Sequence, residues 1–254
     1  MNNEMVVNQS VYYECPFCQG IFDAFIPWPD LFDFPKVKYE MWNKHTAMCP
    51  FCYSTDRERM YKLYMEKEPA FLSTPKNVLH ISPENCLQDW LNHQSNINYE
   101  SVIVNSEKDM KWLDYSDQTF DVIVCSHVLE HVKYDIQAMK ELYRVMKDQG
   151  WGIMQVPIAL NLKRTYEDPH IVTPEERNRA YGQEDHLRIY AKKDYVKRLK
   201  SVGFTVKPMH FAETLGSDML KYGLSQDDVL YIVTKENDHK SSFLKRLYDK
   251  ILSK

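Results

Sequence analysis

Glycine is scarce in this chain, with 7 in 254 residues. That is few for a fold that must bring its backbone close to a nucleotide, because close approach favours a residue without Cβ. Long hydrophobic runs are also missing, and no stretch approaches the length of a membrane span. The first ten residues, MNNEMVVNQS, lack the basic-then-apolar form of a signal peptide. The expectation is a cytoplasmic protein whose thiols stay reduced. Neither sign of charge dominates: 32 basic and 36 acidic residues give a formal net charge of −4. That exerts no global pull toward nucleic acid. There is no internal repeat and no low-complexity segment.

What is present is a globular composition, 44% hydrophobic, able to bury a core. Residues 1–60 hold four of the six Cys and a cluster of aromatics that includes Trp28, Phe32, Phe34, Tyr39 and Trp42. Residues 77 to about 235 alternate apolar runs with helical stretches, the pattern of βαβ units. Strands are expected at 77–82, 101–105, 121–125, 152–157, 204–209 and 229–234. Helices are expected at 57–68 and 135–147. The second has Ile136, Met139, Leu142, Tyr143 and Met146 on its buried face and a stop at Asp148-Gln149-Gly150. Residues 158–190 form a connection too long for a plain loop. The tail, 240–254, reads as a basic amphipathic helix that packs on its own domain or on a second copy of the chain; a membrane surface is the alternative. This predicts an α/β fold in three parts: a module over 1–60, a doubly wound sheet over 61–236 and a tail helix over 237–254.

Phe120 to Val132 reads FDVIVCSHVLEHV, an apolar strand that ends in polar residues and is followed by a helical pattern. Ligands in open α/β sheets bind at the carboxyl ends of such strands, so Cys125, Ser126 and His127 are expected to line a pocket. His127 and His131, one helical turn apart, would share a face. His131 is either a base or a residue that orders the helix, and the second reading is preferred.

Cys15-Pro-Phe-Cys18 and Cys49-Pro-Phe-Cys52 are two CxxC knuckles. Together they offer four thiolates to one tetrahedral ion, for which Zn²⁺ is suited. Four sulfurs leave no open coordination position, so the metal would be structural. A redox reading needs only one knuckle, and the duplication argues against it.

The FD-strand-HVLEH segment resembles the fourth strand and the helix after it in class I S-adenosylmethionine-dependent methyltransferases. Asp109 to Asp121, DMKWLDYSDQTFD, is similar to the stretch that precedes that strand in the family. The resemblance implies that the Asp109 carboxylate accepts from the adenine amino group and that the Met110 N–H reaches a ring nitrogen. The first strand departs from the family, because VLHISPENC (78–86) has no glycine turn and His80 stands where an acid is usual. A bacterial subgroup with a four-cysteine module, an H-I-(A/S)-P-E turn and the HVLEH helix is similar over residues 13–207. In that setting His80, Ser82, Glu84, Cys125, Ser126 and His127 would form the cofactor edge, and Asn105 stands nearest the ribose position, with Glu100 or Glu107 as the alternatives.

Residues 155–190 match the subgroup's acceptor side in Tyr166, Glu167, Arg177, Gln183, His186 and Arg188. Arg177 and Arg188 either fork onto an anionic acceptor or form internal salt bridges in a charged lid. His186 is the first candidate base for a hydroxyl acceptor. The resemblance implies methyl transfer from S-adenosylmethionine to a small or sugar-like acceptor, as in surface-glycan synthesis. An RNA methyltransferase and a non-catalytic assembly protein are the alternatives.

Overall fold

The computed structural model describes residues 12–29, 37–41, 43–104 and 110–236. Asn105, Asp109 and the expected tail helix lie outside these described residues, as do Phe32, Phe34 and Trp42. Among the described residues no helix is long and apolar enough to cross a membrane.

A six-stranded sheet organises the molecule. Its strands are β3 (Lys76–Ile81), β4 (Ile97–Val102), β5 (Phe120–Ser126), β6 (Met146–Gln155), β9 (Thr205–His210) and β10 (Val229–Thr234), in the order β4-β3-β5-β6-β10-β9. The first four are mutually parallel, and β10 runs antiparallel to both its neighbours. Short pairs β1 (Tyr13–Glu14) with β2 (Ile21–Phe22) and β7 (Ile158–Ala159) with β8 (Tyr190–Ala191) stand outside it. The helices are α1 (Asp56–Lys67), α2 (Asn85–Asn92), α3 (Asp135–Val145), α4 (Pro174–Tyr181), α5 (Lys192–Ser201) and α6 (Ala212–Leu215). This is the expected α/β, doubly wound sheet. α1 is continuous across residues 60 and 61.

Strand periodicity divides the core. Successive side chains of a strand point to opposite faces. Val78, Val122, Val124 and Ile153 therefore meet α1 and α2 through Met60, Tyr61, Leu87 and Leu91. Leu79, Ile81, Ile123 and Cys125 meet α3 and α5 through Met139, Leu142, Tyr195 and Leu199. At the amino ends of the strands, the Asp121 carboxylate accepts from Asn77 N and Lys147 Nζ, each at 2.8 Å. The aspartate of the FD pair is thus a structural tie at the edge opposite the site.

Three expectations change. The second strand is β4 at 97–102 rather than 101–105. It is an edge strand with half its residues exposed, so no continuous apolar run marks it. Asp148-Gln149-Gly150 lies within β6 as a kink, with Gln149 at φ +64° and the register shifted against β5.

The HVLEHV segment is a turn and not a helix, and α3 begins only at Asp135. His127 takes φ +53°, which no α-helix accommodates. The carbonyls of Leu129, Val132 and Lys133, which a helix would use internally, accept instead from the Arg188 guanidinium.

Candidate functional site

The two CxxC segments are geometric copies. In each, the residue after the second cysteine returns its N–H to the first cysteine's carbonyl: Gln19 to Cys15 at 2.9 Å and Tyr53 to Cys49 at 3.0 Å. Both take left-handed backbone, φ +59° and +60°. The four Sγ atoms lie within 4.8 Å of one another, with Cys15–Cys52 at 3.5 Å and Cys18–Cys49 at 3.7 Å. A tetrahedral ion with metal–sulfur bonds of about 2.3 Å needs sulfurs about 3.8 Å apart. The shell fits such an ion with no open position.

This module is fastened to the sheet through α1. Arg59 is fully buried and donates to the carbonyls of Thr46, Ser54 and Tyr222, while its guanidinium lies over the Phe25 ring. Glu58 closes the capping box of α1 with Thr55 and also accepts from Cys86 N at the start of α2. α1 also carries Arg57 and Tyr61 to the carboxyl ends of β3 and β5. Arg57 Nε lies 3.3 Å from Glu84 Oε1, and Tyr61 Oη lies 2.9 Å from Ser126 Oγ.

Ser82 resolves the missing glycine turn. It adopts φ +48°, a conformation that favours glycine, and so lets the chain turn directly after β3. Its N–H donates to Val102 O at 2.7 Å, and its Oγ accepts from Val104 N at 3.0 Å. His80 is enclosed, with Nε2 2.9 Å from Glu84 Oε2 and Nδ1 3.2 Å from Tyr99 Oη. Burial works against ionised Glu84, yet the bond from His80 and the charge of Arg57 hold its carboxyl below the usual range. Cys125 turns its thiol into the core and is fully buried, so the polar edge starts at Ser126. Met110 is likewise buried by its side chain.

Beyond the carboxyl ends of β5 and β6 opens a cavity of about 370 Å³. His127, Glu130 and His131 line it from the turn, and Gln155 to Ile158 from β6 and β7. Gln183 and His186 come from the long connection, Arg57 from α1, and Tyr39 and Glu40 from the amino-terminal part. Burial pushes the Glu130 carboxyl up to about 8. Burial pushes His186 down to about 4, which leaves it neutral and a weak base near pH 7. His127 and His131 are lowered by burial as well.

Of the sequence-predicted residues, His127, His131, Gln183 and His186 meet in this cavity. Arg188 does not face it. It is 5% exposed, and its Nε–H donates to Glu167, which also pairs with Arg198. The internal-salt-bridge alternative is the one that Arg188 adopts. Tyr166 packs on Tyr181, and Arg177 sits on α4; neither lines the cavity. Sequence reasoning missed Glu130, although it stands between two singled-out residues of the HVLEH motif. It also missed Arg57 and Tyr39, which carry no motif.

A family model described as a methyltransferase domain matches residues 73–154, from the approach to β3 through most of β6. An uncharacterized protein of Methanocaldococcus jannaschii is 43% identical over 44 residues, which cover 17% of this chain and 19% of that protein's length. The phosphoethanolamine N-methyltransferase 2 of Haemonchus contortus, solved with S-adenosyl-L-methionine, is 13% identical with a TM-score of 0.45. That likeness covers 70% of this chain and 52% of the other. The 1,6-didemethyltoxoflavin-N1-methyltransferase of Burkholderia thailandensis, solved with bound 1,6-didemethyltoxoflavin and S-adenosylhomocysteine, is 12% identical with a TM-score of 0.44. It covers 72% and 78% of the two chains.

Proposed function

We propose, for a chain whose residues 73–154 match a methyltransferase-domain family model, that it transfers a methyl group from S-adenosylmethionine to an oxygen of a small, sugar-like acceptor. One observation carries the reading. The matched segment supplies β3, β5 and most of β6, and the cavity opens at the carboxyl ends of β5 and β6, where open α/β sheets bind ligands.

On this reading the donor lies over the turn after β3. Ser82 and Glu84 face its methionine or ribose part, and Asp109 with the Met110 N–H holds the adenine. The cavity beside it takes the acceptor. The donor's sulfonium is a good leaving group, so the chain chiefly orients the acceptor in line behind the S–CH₃ bond and keeps water out. A concave cavity of about 370 Å³ has the size of a small-molecule site.

The four-sulfur shell would hold Zn²⁺ as a structural ion. Its role is to fix the loop that Arg59 grips, and so to place α1 with Arg57 against Glu84.

Methyl-labelled S-adenosylmethionine offered with a panel of small hydroxylated acceptors tests the activity. The expected result is label in one acceptor class together with S-adenosylhomocysteine. Label appearing only in added RNA would replace the small-molecule reading.

A further inference from the structure

Glu130 is the most anomalous side chain of the cavity. It is 1% exposed, and neither carboxylate oxygen has a hydrogen-bond partner. Two imidazole nitrogens lie beside it, His127 Nδ1 at 3.5 Å and His131 Nε2 at 3.9 Å from Oε1. A buried carboxyl whose two oxygens both lack a hydrogen-bond partner is costly, and a cation can take the place of the proton that burial favours.

The histidines around it are arranged as ligands are. His131 Nδ1 lies 3.2 Å from Asp185 Oδ2, while Glu130 Oε1 lies on the Nε2 side of the same ring. Metal-bound histidines commonly show this arrangement, the second ring nitrogen held by a carboxylate or carbonyl. The His186 ring packs edge-on to His131 with centroids 4.7 Å apart. One lone-pair atom each from Glu130, His131 and His186 lies within 4.8 Å of the others. The Arg188 bonds to the carbonyls of Leu129 and Val132 hold the turn that presents Glu130 and His131.

We propose that Glu130, His131 and His186 form a second metal site, for a divalent transition ion such as Zn²⁺, Fe²⁺ or Co²⁺. Two imidazoles and one carboxylate suit ions of this class. Three protein ligands leave coordination positions open. Those positions face the cavity, beside Tyr39, Gln155 and Gln183. An oxygen ligand with a hydroxyl or carboxylate group would complete the ion there. The site differs in kind from the closed four-sulfur shell, and it does not rest on the methyltransferase reading.

Cobalt(II) alone is the probe, added to full-length protein after removal of bound metal. Bound metal is counted by mass spectrometry, and the visible spectrum is recorded. The expected wild-type result includes d–d bands without thiolate charge transfer, separate from any thiolate-to-cobalt bands of the cysteine shell. Glu130→Gln and His186→Ala should each lower the count by one ion and remove only the first set. Cys49→Ser should affect only the second. A wild-type protein showing thiolate-bound cobalt alone overturns the proposal even if a variant fails to fold. Persistence of the nitrogen–oxygen bands in both variants also overturns it. S-adenosylhomocysteine binding is unaffected by either failure and tests the methyltransferase reading separately.

Discussion

The Arg188 Nη1 donates to the carbonyl of Leu129 at 2.9 Å, tying the long connection to the turn after β5. The same guanidinium reaches the carbonyls of Val132 and Lys133 and the Glu167 carboxylate. A guanidinium whose Nε, Nη1 and Nη2 all donate to these groups cannot also fork onto an acceptor. It is a positioning residue for Glu130 and His131.

Arg188→Ala should therefore cost on the order of 3 kcal/mol in urea unfolding, because several buried carbonyls lose their donor together. Arg188→Lys should recover little, since an ammonium cannot span the same fork. A variant of unchanged stability with only a raised KM for the acceptor would return Arg188 to acceptor binding.

Ser82 at φ +48° sets glycine against alanine. Ser82→Gly loses the bond from Val104 N but relieves the backbone. Ser82→Ala loses the same bond and keeps the strain. Glycine should be the more stable of the two by about 1 kcal/mol. Equal stabilities by chemical denaturation would show that the turn is not strained.

The cysteine shell and Arg59 make one structural unit. Cys49→Ser should release one bound zinc and cost more than about 3 kcal/mol, because metal binding contributes directly to folding. Zinc content and thermal unfolding measure both effects. Full stability without zinc would assign the cysteines to ordinary packing.

Asp228 gives a pH signature behind the cavity wall, through its bond from Asn43. Burial raises its carboxyl from 3.8 to about 7, against the bonds from Ser225 N and Asn43 Nδ2 and in line with the nearby Asp56 and Asp227 charges. The folded state holds this proton more tightly than the unfolded chain. The associated stability is complete below about pH 4 and is lost as pH rises through about 7. Asp228→Asn should thus gain on wild type by on the order of 1–3 kcal/mol between pH 5 and 8. A pH-independent difference between the two unfolding profiles would contradict the shift.

The sheet was legible because β3, β5 and β10 are apolar runs, and the paired CPFC spacing marked the four sulfurs that the fold brings together. β4 was misplaced because an edge strand shows only half a hydrophobic pattern. The HVLEHV segment read as a helix because its local spacing is helical. Arg188, distant in sequence, supplies the donors that keep it a turn. Arg57 was invisible for a related reason: nothing local separates it from a solvated arginine, and only the fold places it against Glu84. Glu130 looked like an ordinary helix residue until the turn buried it among histidines.

The central claim is that the sheet edge after β3 binds S-adenosylmethionine without a glycine turn. Calorimetric titration of full-length protein with S-adenosylhomocysteine tests it most directly. The account predicts saturable one-to-one binding in the micromolar range. No binding up to low millimolar ligand would contradict it and leave the chain a methyltransferase fold that has lost its donor.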